Sequence, residues 1–187
     1  MHQKIFDFGN RADTGIAIDP NNDDNVIVTL GNYGSLEHVQ QSINATSTNV
    51  VQFTQISGAG SNKLPNSPFY EAVIDFRDNN KVIIDTELSV YATDNAFNTA
   101  IASDDGQSVI DVQWTEENTG LGRSPVMAVK QMTFGRDQGA INQGKVYIGP
   151  HGRGIYETDQ LVGIYGNQVI SETKSGKSGL VIFLIQL

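Results

Sequence analysis

Two stretches of the chain show the same alternation of apolar and polar positions. GIAIDPNNDDNVIV (15–28) and EAVIDFRDNNKVII (71–84) align with each other without a gap. In each, an alternating apolar run ends at an aspartate, a polar Asn/Asp turn follows, and a β-branched run resumes. Alternation with a period of two on both sides of such a turn predicts two antiparallel strands joined by a hairpin.

A third copy of the hairpin is divided by a longer loop. SPVMAVKQ (124–131) and KVYIG (145–149) correspond to its two strands. A further strand is predicted after each hairpin, at LEHVQQS (36–42), LSVYAT (88–93) and RGIYET (153–158). Fourth strands are predicted in the first two copies, at VVQFTQIS (50–57) and SVIDVQWTEE (108–117).

Repeated units of four short strands are typical of the blades of a β-propeller. The sequence therefore predicts an all-β fold, a partial β-propeller of about three four-stranded antiparallel blades. Closed propellers need about four to eight blades, so we expect a C-terminal fragment of a larger protein whose missing blades are its partners. We divide the chain into a propeller region, 1–164, with blades at 12–57, 67–117 and 124–164, and a linker or truncated tail, 165–187.

Composition agrees with this prediction and excludes several functions. Hydrophobic residues make up 39% of the chain and charged residues 18%. The formal net charge of -9 argues against nucleic acid as a partner, because binding to a phosphate backbone requires a basic surface. No apolar stretch is long enough to span a membrane. There is no cysteine, which excludes disulfides and thiolate chemistry.

The segment HGRG (151–154) joins two predicted strands of the third copy. Gly152 and Gly154 are what a tight turn with positive φ requires. We favour this structural role for the segment. His151 and Arg153 are nevertheless retained as candidate ligand-binding residues.

Hydrolysis of a glycoside needs two carboxylates that flank the bond. Asp19 and Asp75 occupy equivalent repeat positions, which favours a role in stabilising turns. Asp85 and Glu87 end the second strand of the second copy and have no counterparts in the other copies, so they are the candidate catalytic pair. Asp104 and Asp105 are the other candidate carboxylates.

Oxygen-rich side chains in DPNNDD (19–24) suit a hard cation. Asp19, Asp23 and Asp24 are therefore weak candidates for calcium ligands, although the regular spacing of a calcium loop is missing. No other cofactor is indicated. Among the aromatic residues, Tyr91 and Tyr156 recur at one repeat position and are expected to pack between sheets, whereas Tyr33 and Phe97 are candidates for stacking on sugar rings.

Two turns resemble the Asp box, S-x-D-x-G-x-T-W, of the Asp-box (BNR-repeat) and sortilin-like propeller superfamily. One contains Ser42, Asn44 and Thr48; the other contains Thr93, Asn95 and Thr99, with Trp114 after an insertion. Asparagine replaces the aspartate, and the glycine is lost. The resemblance implies that the hydroxyl and amide groups bind the turn backbone and that the tryptophan fills the gap between sheets. It covers about residues 12–160.

That superfamily includes sialidases, xyloglucanase-like hydrolases, sortilin-type ectodomains and many secreted bacterial proteins. The resemblance implies an extracellular or cell-surface location and a carbohydrate or protein ligand. We expect a non-catalytic binding or scaffold module, and the alternative is a fragment of a sialidase-like or xyloglucanase-like glycoside hydrolase. A carboxylate pair facing an open cleft would favour the enzyme.

Overall fold

The fold is described from a computed structural model that covers residues 4–34, 37–97, 101–102, 108–109, 112–158 and 183–185. Strands dominate this part of the chain, with single 3-10 turns at Gly60–Asn62 and Arg136–Gln138. None of its helical segments is long and apolar enough to cross a membrane.

Three four-stranded antiparallel sheets account for most of the strands. Sheet I contains, in spatial order, β1 (Asp13–Asp19), β2 (Asn22–Leu30), β3 (Val39–Ser42) and β4 (Thr54–Gln55). Sheet II contains β5 (Phe69–Ile74), β6 (Val82–Thr86), β7 (Val90–Thr93) and, after the small hairpin of β8 (Ile101–Ala102) and β9 (Ser108–Val109), β10 (Thr115–Glu116). Sheet III contains β11 (Val126–Gln131), β12 (Val146–Pro150), β13 (Ile155–Thr158) and β14 (Phe183–Ile185).

The first strands of the three sheets lie side by side. β5 packs against β1 on one side and against β11 on the other, and each sheet adds its later strands outward from this inner edge. Ile16, Val73 and Val129, which belong to these three strands, line one common groove. The prediction of an all-β, partial β-propeller with three four-stranded antiparallel blades is confirmed.

Side chains that alternate along the strands build the two cores between the sheets. Successive residues of a strand point to opposite faces, so Val82 and Ile84 of β6 join the core between sheets I and II. Ile83, between them, joins the core between sheets II and III. Tyr91 packs against the first of these cores and Tyr156 lies in the second, which confirms the packing role predicted for both.

Trp114 fixes sheet II against sheet I. Its buried ring lies in the core between the two sheets, and its Nε1–H donates a hydrogen bond of 2.7 Å to the carbonyl oxygen of Ile56, just after β4. A buried indole N–H needs such an acceptor. The tryptophan therefore fills the gap between sheets, as expected from the sequence.

The two turns that resemble Asp boxes have matching hydrogen bonds. In sheet I, the N–H of Asn44 donates to Ser42 Oγ (3.2 Å), and Asn44 Oδ1 accepts the N–H of Gln52 (3.0 Å). In sheet II, the N–H of Asn95 donates to Thr93 Oγ1 (3.3 Å), and Asn95 Oδ1 accepts a backbone N–H at 3.0 Å. Each asparagine thus ties the end of the third strand to the segment leading into the fourth.

The division of the chain at residue 164 stays a prediction. Phe183–Ile185 lies within the predicted tail and pairs with β13 as the fourth strand of sheet III. The tail segment 165–182 lies outside the described residues.

Candidate functional site

Each inner strand contains a β-bulge near its start. One extra residue is accommodated in β1 between Asp13 and Gly15, in β5 between Phe69 and Ala72, and in β11 between Val126 and Ala128. A bulge leaves strand N–H groups without their ladder partners. In sheet II these groups belong to Tyr70 and Glu71, and both donate to the carboxylate of Asp85 on β6, with 2.6 Å from the N–H of Glu71 to Asp85 Oδ1.

Asp85 is 0% exposed, and its Oδ2 has no hydrogen-bond partner among the described residues. Burial, which disfavours the charged form, raises the pKa of Asp85 to about 7. The two bulge N–H groups and the charge of Lys130 oppose this increase, whereas the nearby charge of Glu71 adds to it. Asp85 is therefore an acid that is partly protonated at neutral pH.

Glu71 connects sheet II to sheet III. Its Oε2 accepts the backbone N–H of Val129 at 3.0 Å, and its Oε1 forms an ion pair with Lys130 Nζ. Both partners are on β11. The Glu71 side chain is half-buried, but that of Lys130 is 70% exposed, so solvent screens this ion pair and it contributes no more than the fraction of a kilocalorie per mole typical of surface pairs.

Glu71 and Lys130 line the groove along the inner strands, whereas Asp85 lies buried outside its lining. The groove has a volume of about 170 Å³. Its polar wall contains Glu71, Lys130, Gln131 and Thr133, and its apolar wall contains residues of β1 and the following turn, namely Ile16, Ile18 and Pro20. A carboxylate, an ammonium and an amide beside an aliphatic surface can hydrogen-bond the hydroxyl groups of a ligand and pack against its C–H faces.

The structure places Asp85 and Glu87 in different surroundings. Glu87 is half-buried in the turn after β6, where its N–H donates to the carbonyl oxygen of Pro68 at 3.4 Å. The carboxylate that influences the pKa of Asp85 is that of Glu71. Catalysis by Asp85 and Glu87 stays a prediction, and the candidates Asp104 and Asp105 lie outside the described residues.

The four predicted ligand-binding residues do not meet in one place. Tyr33 is 65% exposed in the turn between β2 and β3. Phe97 packs against the core between sheets I and II. His151 and Arg153 are exposed between β12 and β13, and the Arg153 guanidinium lies against Gly122. None of the four lines the groove of the inner strands.

The turn around His151 has the backbone geometry expected from its glycines. The φ angles of Gly152 and Gly154 are 72° and 82°. Both values are positive and lie in the left-handed region that glycine adopts readily. The N–H of His151 donates to the carbonyl oxygen of Pro125 at 2.7 Å. The structural role predicted for HGRG is confirmed.

Asp19 and Asp75 stabilise equivalent turns, as predicted. Asp19 Oδ1 accepts the N–H of Asn21, and Asp75 Oδ1 accepts the N–H of Arg77, both at 2.9 Å. The Arg77 side chain also donates to both oxygens of Asp75. Arg77 therefore completes a turn instead of standing free on the surface.

The three calcium candidates differ in burial and in their hydrogen-bond partners. Asp19 is buried, and its Oδ2 accepts the side-chain amides of Asn25 and Asn79, each at 3.0 Å. Burial acts to raise the pKa of Asp19, but its hydrogen bonds outweigh burial and hold the pKa below its ordinary value. Asp24 accepts the N–H and hydroxyl of Thr46, and Asp23 is exposed. The described residues contain no cluster of three or more metal-ligating side chains, and calcium binding stays a prediction.

Sequence reasoning did not identify Glu71, Lys130 or Gln131 as site residues. A signal was present, because the gap-free alignment of the first two copies places Glu71 on Gly15 and Asp85 on Thr29. Two carboxyl groups thus replace a glycine and a hydroxyl at two positions of the repeat. The candidate site therefore lies where the second copy differs from the first.

Comparisons with known proteins show similarity in structure only. No family model and no curated protein matches the sequence. A GH74 xyloglucanase from Xanthomonas campestris is similar at 13% identity and a TM-score of 0.43, over 80% of this chain and 22% of that one. An ancestral GH74 enzyme is similar at 19% identity and a TM-score of 0.42, over 79% of this chain and 25% of that one. The chain spans at most a quarter of either structure.

Proposed function

We propose that the chain is a non-catalytic binding module from an extracellular or cell-surface β-propeller of the Asp-box type. Residues 1–164 form its three blades except for the outermost strand of the third, Phe183–Ile185, and the remaining blades belong to a longer protein. The observation that carries the proposal is the groove of the inner strands, where Glu71 and Lys130 offer charged groups beside the aliphatic wall of β1. We infer that this groove contacts the ligand.

The burial of Asp85 favours binding over catalysis. A general acid must come within hydrogen-bonding distance of the atom that it protonates. Asp85 is the acid with the raised pKa, but it is 0% exposed and binds the bulge backbone. A substrate in the groove would reach Glu71 and Lys130 before it could reach Asp85.

Carbohydrate is the ligand class that best fits the groove. Sugar rings present hydroxyl groups for the carboxylate, ammonium and amide of Glu71, Lys130 and Gln131, and C–H faces for Ile16 and Ile18. A protein segment with the same mixture of polar and aliphatic groups is the alternative ligand.

Affinity electrophoresis in gels that contain soluble β-glucans, xyloglucan or sialylated glycans tests the proposal. We expect one class of glycan to retard the chain and Glu71→Gln or Lys130→Gln to weaken that binding about tenfold. Lys145→Gln is the matched control, because it breaks another ion pair, that with Glu157, away from the groove. Retardation by none of these glycans, or equal retardation of all variants, would contradict carbohydrate binding in the groove.

One observation favours a second function, a fragment of a glycoside hydrolase. Asp85, whose pKa is about 7, lies beside a second carboxylate, that of Glu71, and glycosidases use carboxyl groups whose pKa values are pushed apart. Release of reducing ends from a glycan, abolished by Asp85→Asn, would support the hydrolase. Binding without release supports the binding module.

A further inference from the structure

Asp85 is a buried titratable group that does not line the groove itself. It is 0% exposed, and its Oδ2 has no hydrogen-bond partner among the described residues. Burying a carboxyl group with an unsatisfied oxygen costs stability. The repeat does not require this group, because the corresponding positions of the other two copies hold Thr29 and Gly149. Its presence in the second copy therefore points to a role beyond folding.

Asp85 holds the bulge from which the Glu71 side chain extends. The N–H groups of Tyr70 and Glu71 both donate to the Asp85 carboxylate, and that of Glu71 lies 2.6 Å from Oδ1. Bulge N–H groups have lost their partners in the ladder, so the carboxylate takes the place of a backbone acceptor on β6. The direction in which the Glu71 side chain leaves β5 therefore depends on these hydrogen bonds.

Glu71 in turn orders the polar wall of the groove. Its Oε2 accepts the N–H of Val129 at 3.0 Å, and its Oε1 forms an ion pair with Lys130 Nζ. Glu71 and Lys130 both line the groove. A continuous series of contacts thus connects Asp85, through the bulge backbone, to the two charged side chains that we expect to contact the ligand.

The protonation state of Asp85 changes the strength of the first contacts in this series. Hydrogen bonds that an ionised carboxylate accepts from backbone N–H groups are about twice as strong as those between neutral groups. Protonation would also add a buried donor, since Oδ2 has no partner among the described residues. Burial raises the pKa of Asp85 to about 7, so both forms are populated at neutral pH.

Charged groups act on Asp85 from two of the strands packed against β6. Glu71 on β5 contributes a negative charge, and Lys130 on β11 contributes a positive one. On β7, the titratable side chain of Tyr91 packs with Ile84 in the core between sheets I and II. Asp85 follows Ile84 in β6, so its side chain points to the opposite face of the sheet from that core.

We propose that Asp85 is a positioning residue for the groove, and that the ionised form of its carboxylate gives the groove its full affinity for the ligand. The inference rests on the function proposed above and adds its regulation by pH. When Asp85 is ionised, the bulge is held tightly and the pair of Glu71 and Lys130 keeps its place. When Asp85 is protonated, these hydrogen bonds weaken and the affinity falls.

Titration calorimetry at pH 5.5 and pH 8.5 tests the proposal with cellohexaose, a xyloglucan heptasaccharide and 3′-sialyllactose. We expect the glycan that binds to do so about tenfold more weakly at pH 5.5 than at pH 8.5. Asp85→Asn should bind it weakly at both pH values, because asparagine accepts the bulge N–H groups only as a neutral carbonyl. Asp137→Asn removes the same charge from an exposed site outside the groove and should keep the pH dependence of the wild type.

A reciprocal measurement uses the wild type alone. If the ligand prefers the ionised form tenfold, saturation with ligand must lower the pKa of Asp85 by about one. Carbon-13 NMR titration of the Asp85 carboxyl, with and without the glycan, measures this change. Without ligand, the amide resonance of Val129 should titrate together with Asp85, because that N–H binds Glu71.

The outcomes separate this inference from the proposed function. Binding with the same affinity at both pH values, or a pKa of Asp85 that saturation leaves unchanged, would overturn the inference and leave the binding module standing. A Val129 amide that does not follow Asp85, or a pH dependence that survives in Asp85→Asn, would also overturn it. Absence of binding by all three glycans at both pH values would contradict the inference and the proposed function together.

Discussion

The bulges of β1 and β5 occupy equivalent positions of the repeat and differ in the residues found there. In sheet II, the bulge N–H groups bind Asp85, and Glu71 extends toward β11. In sheet I, the equivalent residues are Gly15 and Thr29, and Thr29 donates its hydroxyl to the carbonyl oxygen of Gly15 at 3.4 Å. Equivalent positions of the repeat thus hold different groups, so the repeat as such does not require the carboxyl pair.

Close packing of neighbouring inner strands explains the glycine in sheet I. A Cβ atom on Gly15 would lie 2.5 Å from the carbonyl oxygen of Tyr70 and 3.0 Å from the Cα of Glu71. β5 therefore leaves no room for a side chain on β1 at this point. The first bulge therefore serves the contact between sheets I and II, whereas the second presents charged groups.

Among the substitutions that test this difference between the bulges, Gly15→Ala should have the largest effect on stability. The nearest atom is a backbone carbonyl oxygen, which cannot rotate away as a side chain can, so we expect a loss of about 3 kcal/mol in the free energy of unfolding. Gly149→Ala is the control, since its Cβ would meet the Cβ of Ala128 at an ordinary 3.6 Å. Urea denaturation measures both variants. Equal stability of the two would show that β1 and β5 are not in close contact.

Asp85→Asn should change how stability depends on pH. The folded state raises the pKa of Asp85 from an ordinary 3.8 to about 7, so it binds this proton more tightly than the unfolded state does. The bound proton therefore contributes to the free energy of unfolding in full below about pH 4. This contribution is lost as pH rises to 7, by about 2 kcal/mol between pH 5 and pH 7.

We would measure the free energy of unfolding of the wild type and of Asp85→Asn from pH 5 to pH 7. The difference between the two isolates the contribution of Asp85 from those of other carboxylates. The variant should gain on the wild type as pH rises, because asparagine still accepts the bulge N–H and carries no charge. A constant difference from pH 5 to pH 7 would mean that Asp85 titrates normally. Thr29→Val, at the equivalent position of sheet I, should show no such trend.

Substitutions of Glu71 and Lys130 should have the smallest effects, and they should change the pKa of Asp85 in opposite directions. Glu71→Gln removes a negative charge that raises the pKa of Asp85, and Lys130→Gln removes a positive charge that lowers it. We expect the pKa of Asp85 to change by about half a unit, downward for the first and upward for the second. Carbon-13 NMR titration of the Asp85 carboxyl reports this directly, and shifts of the same sign would contradict the proposed cluster.

Much of the fold could be predicted because its signals are local. The hairpins around Asp19 and Asp75 have their alternation and turn residues within one short stretch, and so do the turns at Asn44 and Asn95. The pairing of β14 with β13 was not predictable in this way, because the two strands are far apart in sequence.

The candidate site was harder to predict than the sheets. Glu71 and Lys130 are 59 residues apart, and their contact depends on how two inner strands pack. Alternation along β5 does not show that its bulge directs Glu71 toward β11. Asp85 was recognised as unusual because the other copies lack a carboxylate there, but the carboxylate that influences its pKa is that of Glu71 rather than that of Glu87.

Trp114 makes the boundary between sheets I and II optically observable. It is the only tryptophan in the chain, and its indole lies in that boundary with its N–H bound to the carbonyl oxygen of Ile56. Separation of these two sheets would therefore shift the emission of the indole to longer wavelength, even while sheet III stayed attached to sheet II. Fluorescence and circular dichroism recorded on one sample would then distinguish the opening of a single boundary from the melting of all three sheets.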